Sequence, residues 1–181
     1  MTSTYSFTSL SSIATSEEAL ALFDTLAPVD LDFMMGRWRG GAIATDHPMD
    51  GLLEVANWYG KEFVSPECVH PLLFPDGKGD TYKVAPNAQL MKMALRLPLL
   101  KSDSLSPFFS VSLPLFKTDK SQARLRMMSH RGQVSATMIY DHLPIHDVFK
   151  KVDDNSVLGL MDYKETPEPF FFTLKRETPR A

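Results

Sequence analysis

The sequence predicts an α+β domain, predominantly antiparallel β, in which a barrel or strongly curved sheet carries a helical insertion over one end. Three observations predict it. From about residue 122 the apolar residues switch to period two, as half-buried strands require. Gly36-Arg37-Trp38-Arg39-Gly40 puts an indole between two arginines, with a glycine two positions to either side. On a pleated strand Trp38 then shares one face with the glycines, and the arginines take the other. Residues 40–120 are rich in proline and in helix-spaced apolar groups, which fits a cap over a barrel mouth.

Residues 1–14, rich in Ser and Thr, are expected to be a flexible arm, and 15–181 a single domain. Thr15 and Glu18 stand at capping-box spacing before Ala19, Leu22, Phe23 and Leu26, which share one helix face. Pro28 ends that helix. The opening strand is expected over 36–45, with Trp38 closing one end of the barrel. His47-Pro48-Met49-Asp50-Gly51 breaks the strand. Asp50 is expected to cap a short helix carrying Leu52, Leu53, Val55, Ala56 and Tyr59, with Trp58, Lys61 and Phe63 near its end. Pro66 and Pro71 flank an irregular stretch, and 75–80 is a turn-rich loop. Asn87 is placed to cap a helix with Leu90, Met93, Ala94 and Leu97 on one face, stopped by Pro98. The apolar run 108–116 reads as a second helix or a lid, since Pro114 excludes a central strand. Residues 15–118 thus comprise a helix, the opening strand and a helical insertion, and 119–176 an antiparallel meander.

Within the meander, Ala123, Leu125 and Met127 alternate with Arg124, Arg126 and Met128. A two-residue turn at Arg131-Gly132 pairs Leu125 with Met138 and Arg126 with Thr137. Arg124, Arg126, His130, Gln133, Ser135 and Thr137 then share one face, and Leu125, Met127, Val134, Ala136, Met138 and Tyr140 the other. A slip of one residue would destroy that agreement. Further strands are expected over 145–152, 157–163 and 170–176. An open meander leaves two edges, and pairing the Trp38 strand with a terminal meander strand closes them.

The composition, 44% hydrophobic and 23% charged, allows a full core and excludes a disordered chain. A net charge of −3 argues against broad binding to nucleic acid or anionic membrane. Cys68 is the single cysteine, so no intrachain disulfide framework or cysteine metal cage can form. With no secretory leader and no apolar run of about 18 residues, a soluble cytoplasmic protein is expected.

The assembled motifs resemble the GXWXG-motif proteins, whose N-terminal module is paired with a C-terminal domain of uncharacterised function. The resemblance rests on Gly36-Arg37-Trp38-Arg39-Gly40, on Trp58-Tyr59-Gly60-Lys61-Glu62-Phe63, and on Ala123-Arg124-Leu125-Arg126. It extends through 135–141, Leu158-Gly159-Leu160-Met161-Asp162 and Pro169-Phe170-Phe171-Phe172. It implies a lipocalin-like barrel and, by fold-level analogy, a lipid or other apolar small molecule as ligand. The Gly-x-Trp position is also similar to that of lipocalins, fatty-acid-binding proteins and nitrobindin-like haem barrels.

The candidate ligand contacts are Trp38, Arg37, Trp58, Lys61, Arg124, Arg126, Met138 and Tyr140. Arg124 and Arg126 could grip an acidic head group if the lumen is polar; in a small barrel with its apolar face inward they belong to a solvated outer face. Met91, Met93, Met127, Met138 and Met161 could line an adaptable cavity or simply fill the core. The leading expectation is therefore a binding protein for an apolar or amphipathic small molecule such as a fatty acid or phospholipid. The alternative is a hydrolase or isomerase using Tyr140, Asp141 or His142, with His146 and Asp147 just downstream. A third reading is a haem-binding barrel with His47 or His70 above the mouth. No metal site and no other cofactor are expected: His142 and His146 are four apart, but Pro144 forbids a regular helix between them. The pattern names neither the ligand nor the oligomeric state.

Overall fold

A computed structural model of the chain describes residues 15–89, 91–92 and 106–178. The expected arm and most of the helix through Leu90, Met93, Ala94 and Leu97 lie outside the described residues. The elements run α1 (Ser16–Thr25), β1 (Ala27–Pro28), α2 (Leu31–Met34), β2 (Gly36–Ala42), α3 (Leu52–Val55), β3 (Gly60–Ser65), β4 (Cys68–Pro75) and β5 (Thr81–Lys83). A short helix, Ser106–Ser112, and a 3-10 turn, Leu113–Phe116, precede β6 (Ala123–His130). Strands β7 (Gln133–Tyr140), β8 (Ile145–Asp153), β9 (Ser156–Tyr163) and β10 (Phe170–Arg176) follow.

Eight of these strands close into an antiparallel barrel in the order β2-β3-β4-β6-β7-β8-β9-β10 and back to β2. The closing seam pairs Trp38 with Arg176 and Gly40 with Leu174, the Trp38-to-meander pairing expected from the sequence. The β6–β7 hairpin has the expected register, Leu125 opposite Met138 and Arg126 opposite Thr137. Arg131 and Gly132 both take positive φ, 48° and 79°, as a two-residue hairpin turn demands. Toward the hairpin tip the expected apolar face emerges into solvent, with Met127 42% and Val134 54% exposed.

Two barrel strands come from a region with a different expectation. Residues 60–75 form the β3–β4 hairpin rather than a helix end and an irregular stretch. Prolines 66, 71 and 75, the buried polar residues Lys61 and His70, and register shifts in the β3–β4 pairing together mask the period-two signal. Gly60 lets β3 leave β2 sharply: its φ is 151°, and a Cβ there would lie 2.0 Å from the Trp38 carbonyl oxygen. The preceding helix shrinks to four residues with Gly51 at its N-cap. Asp50 instead braces the loop before it, accepting from the Thr45 and His47 amides at 2.8 and 3.0 Å.

The core has an inner and an outer layer. Inside the barrel Trp38, Phe63, Leu125, Met138, Phe149, Val157, Phe172 and Leu174 pack together. Outside, α1 lies on the β8–β10 wall, with Ala19 and Phe23 against Val148, Leu158, Leu160 and Phe171. Thr15 caps α1 by accepting from the Glu18 amide at 3.1 Å. Residues 27–29 are stitched to both β7 and β8: Ala27 and Pro28 pair with Lys151 and Lys150, and the Ala136 amide donates to the Val29 carbonyl.

One barrel end is plugged. Trp38 is fully buried, and its Nε1 donates to the Met34 carbonyl of α2 at 2.8 Å. The Arg176 guanidinium stacks 4.2 Å from its ring centroid and donates to the Met35 and Phe33 carbonyls. At the other end α3, Phe109, Leu113 and the 84–87 segment cover the mouth.

Two imidazoles, His70 buried and His130 half-buried, give the fold a pH dependence. Burial pushes His70 and His130 below the ordinary histidine value of 6.5, so the folded chain binds fewer protons than the unfolded one. Their contribution to stability is present above 6.5 and is lost as pH falls through that value toward the lower folded pKa. The urea midpoint is therefore expected to drop on acidification through this window, and His70→Gln should flatten the drop. A level midpoint in the wild type would contradict it.

Candidate functional site: a covered cavity with a buried charged pair

Beneath the covered mouth lies a cavity of about 130 Å³. Its lining is overwhelmingly apolar, with Met49, Leu52, Phe74, Phe109, Ile145 and Met161 among its walls. A volume near this is close to the roughly 150 Å³ apolar cavity that accepts benzene.

Two charges, Lys61 and Asp147, and the polar groups of Trp58, Tyr140 and, at the mouth, Asn87 line this space. Lys61 of β3 and Asp147 of β8 form an ion pair, Nζ to Oδ2 2.9 Å, with side chains only 3% and 1% exposed. The Lys61 ammonium sits among three rings, 5.3 Å from the Trp58 centroid, 5.6 Å from Tyr140 and 5.0 Å from Phe172. Its hydrogen bonds are long, 3.4 Å to the Pro71 carbonyl and 3.4 Å to the Tyr140 hydroxyl. Asp147 Oδ1 and Trp58 Nε1 are buried and have no hydrogen-bond partner among the described residues. Burial pushes the Asp147 carboxyl up, against the opposing pull of Lys61. The Tyr140 phenol is driven well above its usual value by burial and by the nearby Asp147 carboxylate.

Glycines shape the ring cluster. A Cβ on Gly40 would lie 2.0 Å from the Trp58 ring, and one on Gly159 would lie 2.4 Å from the Phe172 ring. The second glycine of the Gly36–Gly40 motif is therefore the seat of Trp58.

The remaining sequence candidates are distributed unevenly. Trp58, Lys61 and Tyr140 line the cavity, as do Met91 and Met161. Trp38 and Met138 belong to the filled core. Arg37 faces away, bonded to Glu177 at 3.0 Å and Thr81 at 2.6 Å. Arg37 and Arg39 each lie 5.0 Å from the Tyr59 ring, whose hydroxyl donates to Glu177. Arg124 is on the surface beside Asp141 at 3.7 Å, and Arg126 pairs with Glu67. His142 is exposed. His47 is buried under the 168–170 segment, its Nδ1 accepting from the Met49 amide, and His70 stands 3.8 Å from Cys68 on β4. Neither histidine lines the cavity. Met93 lies outside the described residues.

Asp147 is the cavity residue that the sequence candidates leave in a secondary place. Its signal was positional: Ile145, Asp147 and Phe149 fall on one strand face, so a carboxylate shares an apolar row.

The fold and cavity define a closed antiparallel β-barrel of lipocalin-like class. The GXWXG protein family matches over residues 21–79, and a domain of unknown function, DUF4334, over 121–176. The chain belongs to this family of GXWXG proteins with a C-terminal DUF4334 domain. A crystal structure of a protein from Thermomonospora curvata is similar at 36% identity and a TM-score of 0.64, over 88% of this chain and 85% of that one. A comparison with curated proteins finds no match. Among the described residues, no helix is long and apolar enough to cross a membrane.

Proposed function

We propose that the protein binds a compact amphipathic small molecule, with an apolar body in the barrel cavity and a carbonyl or carboxylate head at Lys61 and Tyr140. The observation that carries this reading is the Lys61–Asp147 pair, 3% and 1% exposed, opening onto an otherwise apolar cavity. Burying two charges costs several kcal/mol per ion, and apolar replacements of such pairs are often neutral or stabilising. The pair is thus a poor way to hold a barrel together and a good way to orient a polar head. Trp58 Nε1, without a hydrogen-bond partner among the described residues, supplies another donor at the same place. Arg124 and Arg126 already pair with Asp141 and Glu67 outside the cavity, so the head-group role considered for them passes to Lys61. A longer acyl tail would have to leave past Asn87, Met91 and Phe109 at the mouth.

Trp58 fluorescence and native mass spectrometry with benzoate, hexanoate and benzene test this reading. The two acids should bind in one-to-one ratio and more tightly than benzene. Tyr140→Phe should weaken the acids by about 1 kcal/mol, the worth of one hydrogen bond, and leave benzene unchanged. If none of the three enters, the cavity is ordinary core slack and the reading fails.

A further inference from the structure

Lys61 is held in a way that suits chemistry as well as attraction. An ammonium has three donors to satisfy. Lys61 Nζ has one short partner, Asp147 Oδ2 at 2.9 Å, and two long ones at 3.4 Å. The rings of Trp58, Tyr140 and Phe172 fill much of its remaining surroundings. The amine therefore borders the cavity with little to hold it there except a carboxylate. That carboxylate has a second oxygen, Oδ1, with no hydrogen-bond partner among the described residues.

We propose that Lys61 captures a compact apolar aldehyde or ketone as a Schiff base, with Asp147 as proton donor and counter-ion. The inference rests on the cavity being a ligand site, and it names the ligand's reactive group. Desolvation of a lysine in an apolar pocket is a recognised route to an amine nucleophile. Here Asp147, with Oδ2 2.9 Å from Nζ, is the group placed to take the ammonium proton, and burial favours the neutral form of its carboxyl. The free amine then forms a bond to the carbonyl carbon, and the C=O π electrons move to oxygen, which takes up a proton as nitrogen releases one. The resulting carbinolamine loses its hydroxyl as water, with a proton from Asp147, while the nitrogen lone pair forms the C=N bond. The products are an iminium on Lys61, a carboxylate on Asp147 and one water. No oxidant or reductant is needed.

The geometry serves each step. The Tyr140 hydroxyl, 3.4 Å from Nζ, lies within reach of an oxygen on a carbon bonded to that nitrogen. The carboxylate left on Asp147 stands beside the new positive charge, as it stands beside the ammonium now. Trp58, Phe172, Met161 and Ile145 limit the water that would hydrolyse the imine. A cavity of about 130 Å³ favours a small aromatic or short branched carbonyl compound.

The test uses the full chain with benzaldehyde at neutral pH, followed by borohydride reduction, intact mass measurement and peptide mapping. The expected result is one benzyl group per chain on Lys61, complete before any surface lysine reaches a comparable extent. Lys61→Arg keeps the positive charge opposite Asp147 and removes the amine, so it should fold and lose the adduct. Lys61→Met combined with Asp147→Leu removes both charges and should behave likewise. Labelling confined to surface lysines, with Lys61 unmodified, overturns the proposal. Benzoate separates the two readings. If benzoate binds while Lys61 stays unmodified, the cavity is a binding site and the covalent step is wrong. If neither compound enters, both readings fall together.

Discussion

Lys61→Met is expected to destabilise the protein by about 3–5 kcal/mol, because it strands a buried carboxylate. Asp147 is 1% exposed and, among the described residues, Lys61 is its one short partner, so the variant leaves the carboxylate without its counter-charge at the edge of an apolar cavity. The double variant Lys61→Met with Asp147→Leu should recover most or all of that loss, since both desolvation penalties disappear together. Urea denaturation of the wild type, both single variants and the double variant measures the coupling directly. If the double variant is as unstable as Lys61→Met, the pair is an architectural element, and its place in the cavity loses its functional meaning. If the double variant recovers stability but no longer binds benzoate, stability and recognition are cleanly separated at one pair of residues.

Trp38→Ala is expected to cost a similar amount, about 3–5 kcal/mol, for a different reason. The indole is fully buried between Phe33, 5.9 Å away, and the Arg176 guanidinium, and its Nε1 satisfies the Met34 carbonyl. Removing it hollows out the plugged end and leaves that carbonyl without its donor. The midpoint of a urea titration should fall with little change in slope, the mark of lost stability without a change of fold. Affinity for benzoate, measured where the variant is still folded, should be unchanged, because Trp38 is not among the cavity walls. A large loss of affinity would put Trp38 in the site after all.

These two residues mark how far the sequence could be read. Trp38 announces itself, because an aromatic between glycines and arginines has few ways to lie on a strand. The Arg131-Gly132 turn and the alternation around it fix a register that the chain adopts residue by residue. The closure of β2 on β10 also followed, from the need to hide two open edges. The β3–β4 hairpin did not. Its prolines imitate a loop, and its inward-pointing Lys61 breaks the apolar row that would have identified a strand. The same lysine explains why the site was half legible. Lys61 and Tyr140 were visible as candidates, but a charge becomes buried only through its partner, and Asp147 lies on a strand far along the chain. Arg124 and Arg126 illustrate the converse: strand alternation gave their shared face, yet only the closed barrel decides which face is outside.

The seam between β2 and β10 also bears on the order of folding. The meander from β6 to β10 contains only neighbouring hairpins, joined through short turns, and can zip up locally. The seam joins residues 38–42 to 172–176, so its loop-closure entropy must be met before its contacts return anything. β2 has a local partner in β3, but its other edge is met only by β10, the last barrel strand in the chain. A chain built this way closes its barrel last at the β2–β10 seam, and until then that edge of the tryptophan strand is left without its partner.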